Sequence, residues 1–308
     1  MRILIELPTW LGDCVMSTPA IENIVKKYKH CEIIFIGSQV SIDLMGLHPN
    51  CIGTHILDRK IINLIKTIRS IEFIDFFISF RGSIRTKLFN LLLNAENKYQ
   101  YNKNKFSSGH QVEKYNKFIQ ESIGIDFRAG KLKLFNSSDE HHSKMPLLGL
   151  NPGASYGSAK CWPYEKFVEV AVALSDKFDI LILGGPDEVG LSKKITQELR
   201  IKNCKNFTNL TGKTTIKDLM SYISSLDVFI TGDSGPMHIA AAFQIPTVSI
   251  FGPTKVNETS QWMNEKSNIL KRELSCQPCM KRVCPLGHHD CMNRISSNEV
   301  INSALRLI

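Results

Sequence analysis

Residues 147–163, LLGLNPGASYGSAKCWP, and residues 226–242, LDVFITGDSGPMHIAAA, share one plan. Each opens on a short apolar run, passes through a loop of small residues and ends in a helix-like stretch. An apolar run of that length reads as a buried strand, and a strand that hands the chain through such a loop to a helix is the unit of a parallel sheet. Outward from these segments the alternation continues, with strands predicted at 147–150, 180–183, 228–231 and 247–251 and a closing helix over 296–308. The first half has the same rhythm, with strands at 2–7, 31–37 and 74–80 and helices over 14–28, 60–70 and 83–93. Between the halves, residues 136–146, NSSDEHHSKMP, are polar, unpatterned and end in proline, as a linker does. The fold class is therefore α/β, with two Rossmann-like domains, 1–146 and 147–308, facing a cleft. A chain of 308 residues suits two such domains, being long for a single core.

Composition bounds the function. Apolar residues make up 43% and charged residues 22%, the balance of an ordinary globular protein. The opening MRILIELP lacks the length and the small-residue cleavage site of a secretory signal. No apolar run approaches the roughly 20 residues of a membrane helix. With no export signal, nine cysteines, an odd number, point to a reducing compartment and free thiols, so a cytoplasmic location is expected. The net charge is +9, and residues 81–133 hold eleven Lys or Arg against four Asp or Glu, a net +7. Such a region favours an anionic partner: nucleic acid, an anionic membrane surface or a phosphorylated substrate. Solubility alone accounts equally well for any single lysine. Nucleic acid is set aside, because no aromatic–basic interleaving, recognition helix or zinc-finger reader accompanies the charge.

Three loops carry the chemistry. LPTWLGD, residues 7–13, lies between a strand and a helix, at the sheet edge where open α/β folds place ligands. Gly12 there permits close backbone approach, and Asp13 either faces the cleft or caps the helix. NPGASYGSAKCWP, residues 151–163, offers amides and hydroxyls from Gly153, Ser155, Gly157 and Ser158, with Lys160 as a cation that no sequence neighbour cancels. That set suits a diphosphate. TGDSGPMH, residues 231–238, places Ser234, Gly235 and the following amides, including that of Met237, at a helix N-terminus, a natural anion seat. Asp233 is placed to accept from sugar hydroxyls; His238 either donates to phosphate or packs in the first turn. LILGGPDE ends on Glu188, a carboxylate after a glycine turn of the kind that binds ribose hydroxyls. GKT at 212–214 is not a P-loop, since the glycine required five residues earlier is Phe207. Cys276, Cys279, Cys284 and Cys291, with His288 and His289, match zinc spacing only at the first pair. They read as a thiol-rich loop bringing Lys281 and Arg282 beside the donor cleft, a structural metal being the alternative.

LPTWLGDCVMSTPA, NPGASYGSAKCWP, NLTGKTTIKDLMSYI, TGDSGPMHIAAA, FGPT and CQPCMKRVCPLGHHDCM follow one another in the chain. In that order they resemble the ADP-heptose:lipopolysaccharide heptosyltransferases, and the cysteine-rich block favours the type II branch. The resemblance implies a GT-B fold whose C-terminal half binds ADP-L-glycero-D-manno-heptose, and transfer with inversion to a heptosyl-Kdo-lipid A type acceptor. It implies no cofactor and no metal. By position it makes Asp13 the general base and Lys160 the donor-phosphate lysine, with Asp233, Ser234, Gly235 and His238 in the donor loop and the backbone at Thr214 beside the adenine. Arg81, Arg85 and Lys87 follow a strand and are candidates for the acceptor's phosphates or carboxylates, or else charges on a helix face. A basic N-terminal half also suits peripheral contact with the inner membrane surface.

Overall fold

Five residues, Arg2–Glu6 (RILIE), are enough to start the first sheet: four of them are buried, as expected of a strand covered on both faces. The computed structural model describes residues 1–57, 61–136, 141 and 143–308. Lys60, where a helix was expected to begin, and residues 137–140 and 142 of the expected linker lie outside the described residues. The chain divides into two units, Met1–Asn136 and Ser137–Ile308. No helix among the described residues is long and apolar enough to cross a membrane.

In the first unit the strands are β1 (Arg2–Glu6), β2 (Glu32–Gly37), β3 (Cys51–Ile56), β4 (Ile74–Ser79) and β5 (Ala95–Gln100). They form one parallel sheet in the order β3-β2-β1-β4-β5. Leu4 and Ile36 on the strands pack with Phe77, Phe89 and Leu93 in its core. The helix expected over 14–28 differs from expectation. It begins at Leu11 and is two helices, Leu11–Met16 and Thr18–Lys27, hinged at Ser17. Pro19 cannot donate a backbone hydrogen bond, and the hydroxyls of Ser17 and Thr18 turn back to Cys14 O and Val15 O at 2.7 and 2.8 Å, competing with the helix ladder.

The second unit continues with β6 (Leu147–Asn151), β7 (Asp179–Ile182), β8 (Phe207–Asn209), β9 (Val228–Gly232), β10 (Thr247–Phe251) and β11 (Ser267–Lys271). This sheet is also parallel, ordered β11-β10-β9-β6-β7-β8. Its core joins Leu148, Ile230 and Ile250 to Phe167 and to Val300 and Ala304 of the closing helix, Ser297–Leu305.

That last helix is fixed electrostatically. Arg272 Nη2 lies 2.6 Å from both Glu299 oxygens, and Glu299 also accepts from Ser296 N and Oγ at 2.8 Å. Arg272 first, then these capping bonds, hold the Glu299 carboxyl down at about 2, against an ordinary 4.5. A carboxyl depressed in the fold stabilises it above its unfolded pKa and loses that contribution as pH falls toward the folded value. Glu299→Gln should therefore lower the thermal midpoint at pH 7, and the gap from wild type should narrow between pH 4.5 and about 2. A pH-independent gap in calorimetry would show that the charge contributes nothing.

Candidate functional site

Each sheet reverses direction once: the strand order turns between β1 and β4 in the first unit and between β6 and β9 in the second. In open α/β sheets the loops on either side of such a reversal diverge and leave a crevice at the carboxyl edge. The loops leaving β4, β6 and β9 carry Arg81, Lys160 and Asp233, and the loop leaving β1 leads into the helix that carries Asp13.

In the second unit, parallel register sets Asn151 opposite Thr231. The two loops therefore start level. Asn151 Nδ2 donates to Thr231 Oγ1 and Ser234 Oγ, both at 3.3 Å, and the two hydroxyls are 3.0 Å apart. Across this bridge Lys160 Nζ meets Asp233 Oδ2 at 2.5 Å and Asp233 O at 3.1 Å. Thr254, in the loop after β10, donates to the same Oδ2 at 2.6 Å. Both charged side chains are largely buried, at 13% and 5% exposure. The expectation of an uncancelled Lys160 is thus corrected: its partner is 73 residues away in sequence, brought close by the pairing of β6 with β9. Asp233 is likewise not wholly available to a sugar, one of its oxygens already accepting two bonds.

The small-residue loop also differs from expectation. Gly157 N donates to Ala154 O and Lys160 N to Gly157 O, at 3.2 and 3.1 Å, so these amides are spent inside the loop. Ser155 is exposed at its tip. The helix after β9 runs Gly235–Ala242, with Ser234 as N-cap, so the first-turn amides are the ones at the sheet edge. Within it the Met237 side chain is fully buried and His238 is 3% exposed. Glu188 packs against Gly153 and Gly184, where a Cβ would fall 2.1 and 2.5 Å from its carboxylate. It accepts from Gly185 N at 2.7 Å, and burial pushes its carboxyl up. Thr214 is half-buried just before the helix Ile216–Ser224.

The four cysteines, irregular in sequence, line one hollow with His288, His289, Ala159 and Pro253. All are free thiols. The amide of His289, joined by those of Leu286 and Gly287, holds the Cys284 thiol below its usual range; burial, then the neighbouring thiols, push Cys291 up. Among the described residues, no group of three or more His, Cys, Asp or Glu is arranged to hold a metal ion.

In the first unit Trp10, 64% exposed, is the N-cap of the helix Leu11–Met16 and makes no side-chain capping bond. Asp13 is the third residue of that helix, half-buried beside Gly12, and its charge bears on Tyr115, whose hydroxyl is pushed up first by burial and then by Asp13. The loop before it is tethered where Ser41 Oγ donates to Pro8 O at 2.5 Å and Ser38 Oγ to Thr9 O at 3.2 Å. Next to it, Glu6 is 3% exposed and accepts from Ser79 Oγ at 2.6 Å and Thr86 Oγ1 at 3.2 Å, with Arg81 Nη1 at 3.4 Å. Arg81 is thus held by a buried carboxylate that has no local sequence signal of its own. Lys87 is exposed, and the Arg85 side chain lies outside the described residues.

Comparison with known proteins agrees with this architecture. The family model "Glycosyltransferase family 9 (heptosyltransferase)" matches residues 73–289. Lipooligosaccharide heptosyltransferase 2 of Campylobacter jejuni serotype O:2 is 40% identical over 317 residues, covering 100% of this chain and 98% of its own. ADP-heptose lipopolysaccharide heptosyltransferase II of Escherichia coli superposes with a TM-score of 0.86 at 20% identity, over 100% and 98% of the two chains. A second E. coli heptosyltransferase, solved with ADP, superposes at 0.80 and 13% identity over the whole of both chains. The fold is GT-B. On the family match and the full-length likeness, this chain belongs to glycosyltransferase family 9, the heptosyltransferases.

Proposed function

We propose that the chain transfers L-glycero-D-manno-heptose from ADP-heptose to the first heptose of a lipopolysaccharide or lipooligosaccharide inner core, inverting the anomeric centre. The observation that carries this reading is the 40% identity, end to end, with a lipooligosaccharide heptosyltransferase 2. The E. coli neighbour solved with ADP supports an adenosine diphosphate donor.

In this reading the second unit binds the donor. The diphosphate meets the first-turn amides of Gly235–Ala242 and the Lys160 ammonium, and Asp233 turns its remaining oxygen to the heptose. Glu188 and the backbone at Thr214 face the nucleoside in this reading, and Ser155 the diphosphate. The first unit binds the acceptor, with Asp13 as general base and Arg81 addressing an acceptor phosphate or carboxylate. Asp13 takes the proton from the acceptor hydroxyl as its oxygen bonds to the anomeric carbon; the bond from that carbon to the diphosphate breaks, its electron pair leaving with ADP. One displacement gives one inversion. Fixed amides and a fixed ammonium stabilise the departing charge without reorganising. The basic stretch 81–133 suits approach to an anionic membrane surface bearing the lipid-linked acceptor.

The test offers ADP-heptose with lipid A cores carrying no heptose, one or two, and follows ADP release and product mass. Product on the one-heptose core alone is expected; preferential use of either other core would overturn the acceptor assignment.

A further inference from the structure

Breaking the anomeric bond puts negative charge on the diphosphate, and the Lys160 charge that meets it is already shared with Asp233 at 2.5 Å. A second cation stands beside it. Both cations contact the Tyr156 ring, Lys160 Nζ at 4.7 Å from its centroid and Arg282 Cζ at 5.5 Å from the same centroid. Arg282 comes from the cysteine-rich segment, and that segment is pinned to the Lys160 loop by its backbone. Ala159 N donates to Arg282 O at 3.0 Å, and the Tyr156 hydroxyl donates to Met280 O at 2.8 Å. Gly157, at φ +147°, lets the chains approach so closely that a Cβ there would sit 2.4 Å from Arg282 O. On the other side Met280 N donates to Pro253 O at 2.9 Å, next to Thr254, which holds Asp233. Among the described residues, no carboxylate lies within ion-pairing distance of the exposed Arg282 guanidinium.

We propose that Arg282 is a ligand of the donor diphosphate, and that the cysteine-rich segment serves to carry it to the Lys160 loop. The inference rests on the nucleoside diphosphate donor proposed above. A guanidinium presents a planar fork that matches two phosphate oxygens, so it supplies both added charge and orientation. The cation–π contact with Tyr156 and the anchored backbone restrict it beforehand, which lowers the entropy lost on binding.

The test measures binding of ADP and of inorganic pyrophosphate by calorimetry to wild type, Arg282→Gln, Arg282→Lys and, as a control, the exposed Lys205→Gln. Arg282→Gln should bind both probes roughly ten- to a hundredfold more weakly, as loss of a charged hydrogen bond implies. Arg282→Lys should recover part of that, and Lys205→Gln should match wild type. Because Arg282 is exposed, thermal midpoints should stay together; if Arg282→Gln melts early, the lysine variant, with its charge kept, carries the comparison. Equal binding by Arg282→Gln and wild type would overturn the inference and leave the donor reading standing. Arg282-dependent binding of ADP and pyrophosphate with no turnover of ADP-heptose would support a nucleoside diphosphate site at Arg282 and remove heptose as the group transferred. Failure of wild type to bind either probe would remove both.

Discussion

Asp13→Asn should lower the rate of heptose transfer by about 10²–10⁴-fold, the range of general-base assistance, while ADP binding stays unchanged. The substitution keeps the shape of the side chain and removes its ability to take a proton. It also removes a negative charge from the first turn of Leu11–Met16, where a carboxylate contributes about 0.3–1 kcal/mol. That loss leaves the protein folded, so a fall of this size in turnover cannot come from stability. The pH profile gives a second readout. A base must be ionised, so the wild-type rate rises with pH through the carboxyl's titration, and the variant should lack that rise. Steady-state and single-turnover assays on ADP release decide the matter: near-normal turnover in Asp13→Asn would end the assignment.

The Lys160–Asp233 pair should show the second large effect, and in two currencies. Removing one member of a largely buried ion pair strands the other, at a cost of about 3 kcal/mol. Lys160→Met leaves Asp233 with Thr254 as its charge-stabilising neighbour; Asp233→Leu leaves the ammonium with Asp233's position filled by hydrocarbon. Each single variant should therefore melt well below wild type. The double variant should recover most of the loss, because replacing both charges by apolar groups is often close to neutral and neighbouring substitutions do not add. Activity should not recover in the double variant: the Lys160 ammonium is gone there and in Lys160→Met, about 10²–10³-fold in rate if Lys160 acts as an oxyanion-type donor. Denaturant melts and transfer assays on the four proteins check both halves. Stability losses that simply add would show the two side chains to be uncoupled, and full activity in Lys160→Met would remove the lysine from the mechanism.

How far the fold was legible depended on where each strand sits. The strands that read as apolar runs, β1, β2, β4, β6, β7, β9 and β10, are all interior to their sheets. A parallel strand flanked by two others and covered on both faces is buried throughout, as TVSIF of β10 is, and so is mostly apolar. The edge strands β3, β5, β8 and β11 gave no such run. CIGTHI alternates half-buried and exposed residues and AENKYQ is mostly polar, as suits a strand with one side open to water. The split at Ser17 was missed because an apolar period carries across it, while the hydroxyls that compete with the ladder act over three residues.

By itself, then, the sequence determined the two parallel sheets, the loops that leave their carboxyl edges and the family to which those loops belong. Strand periodicity and small-residue turns are local properties, readable within ten or fifteen residues. Which side chains meet follows from the packing of the sheets and not from the order of residues. The order of strands puts the β6 and β9 loops side by side, so Lys160 finds Asp233, and Thr254 from a third loop completes the pair. The same holds for Glu6 beneath Arg81 and for Arg282 against Tyr156. These contacts join residues 73 to 126 positions apart, apart from the 21 that separate Asp233 from Thr254. A charge that looks uncancelled along the chain can be neutral in space, because electrostatic interaction depends on distance and burial, which the sheet topology sets.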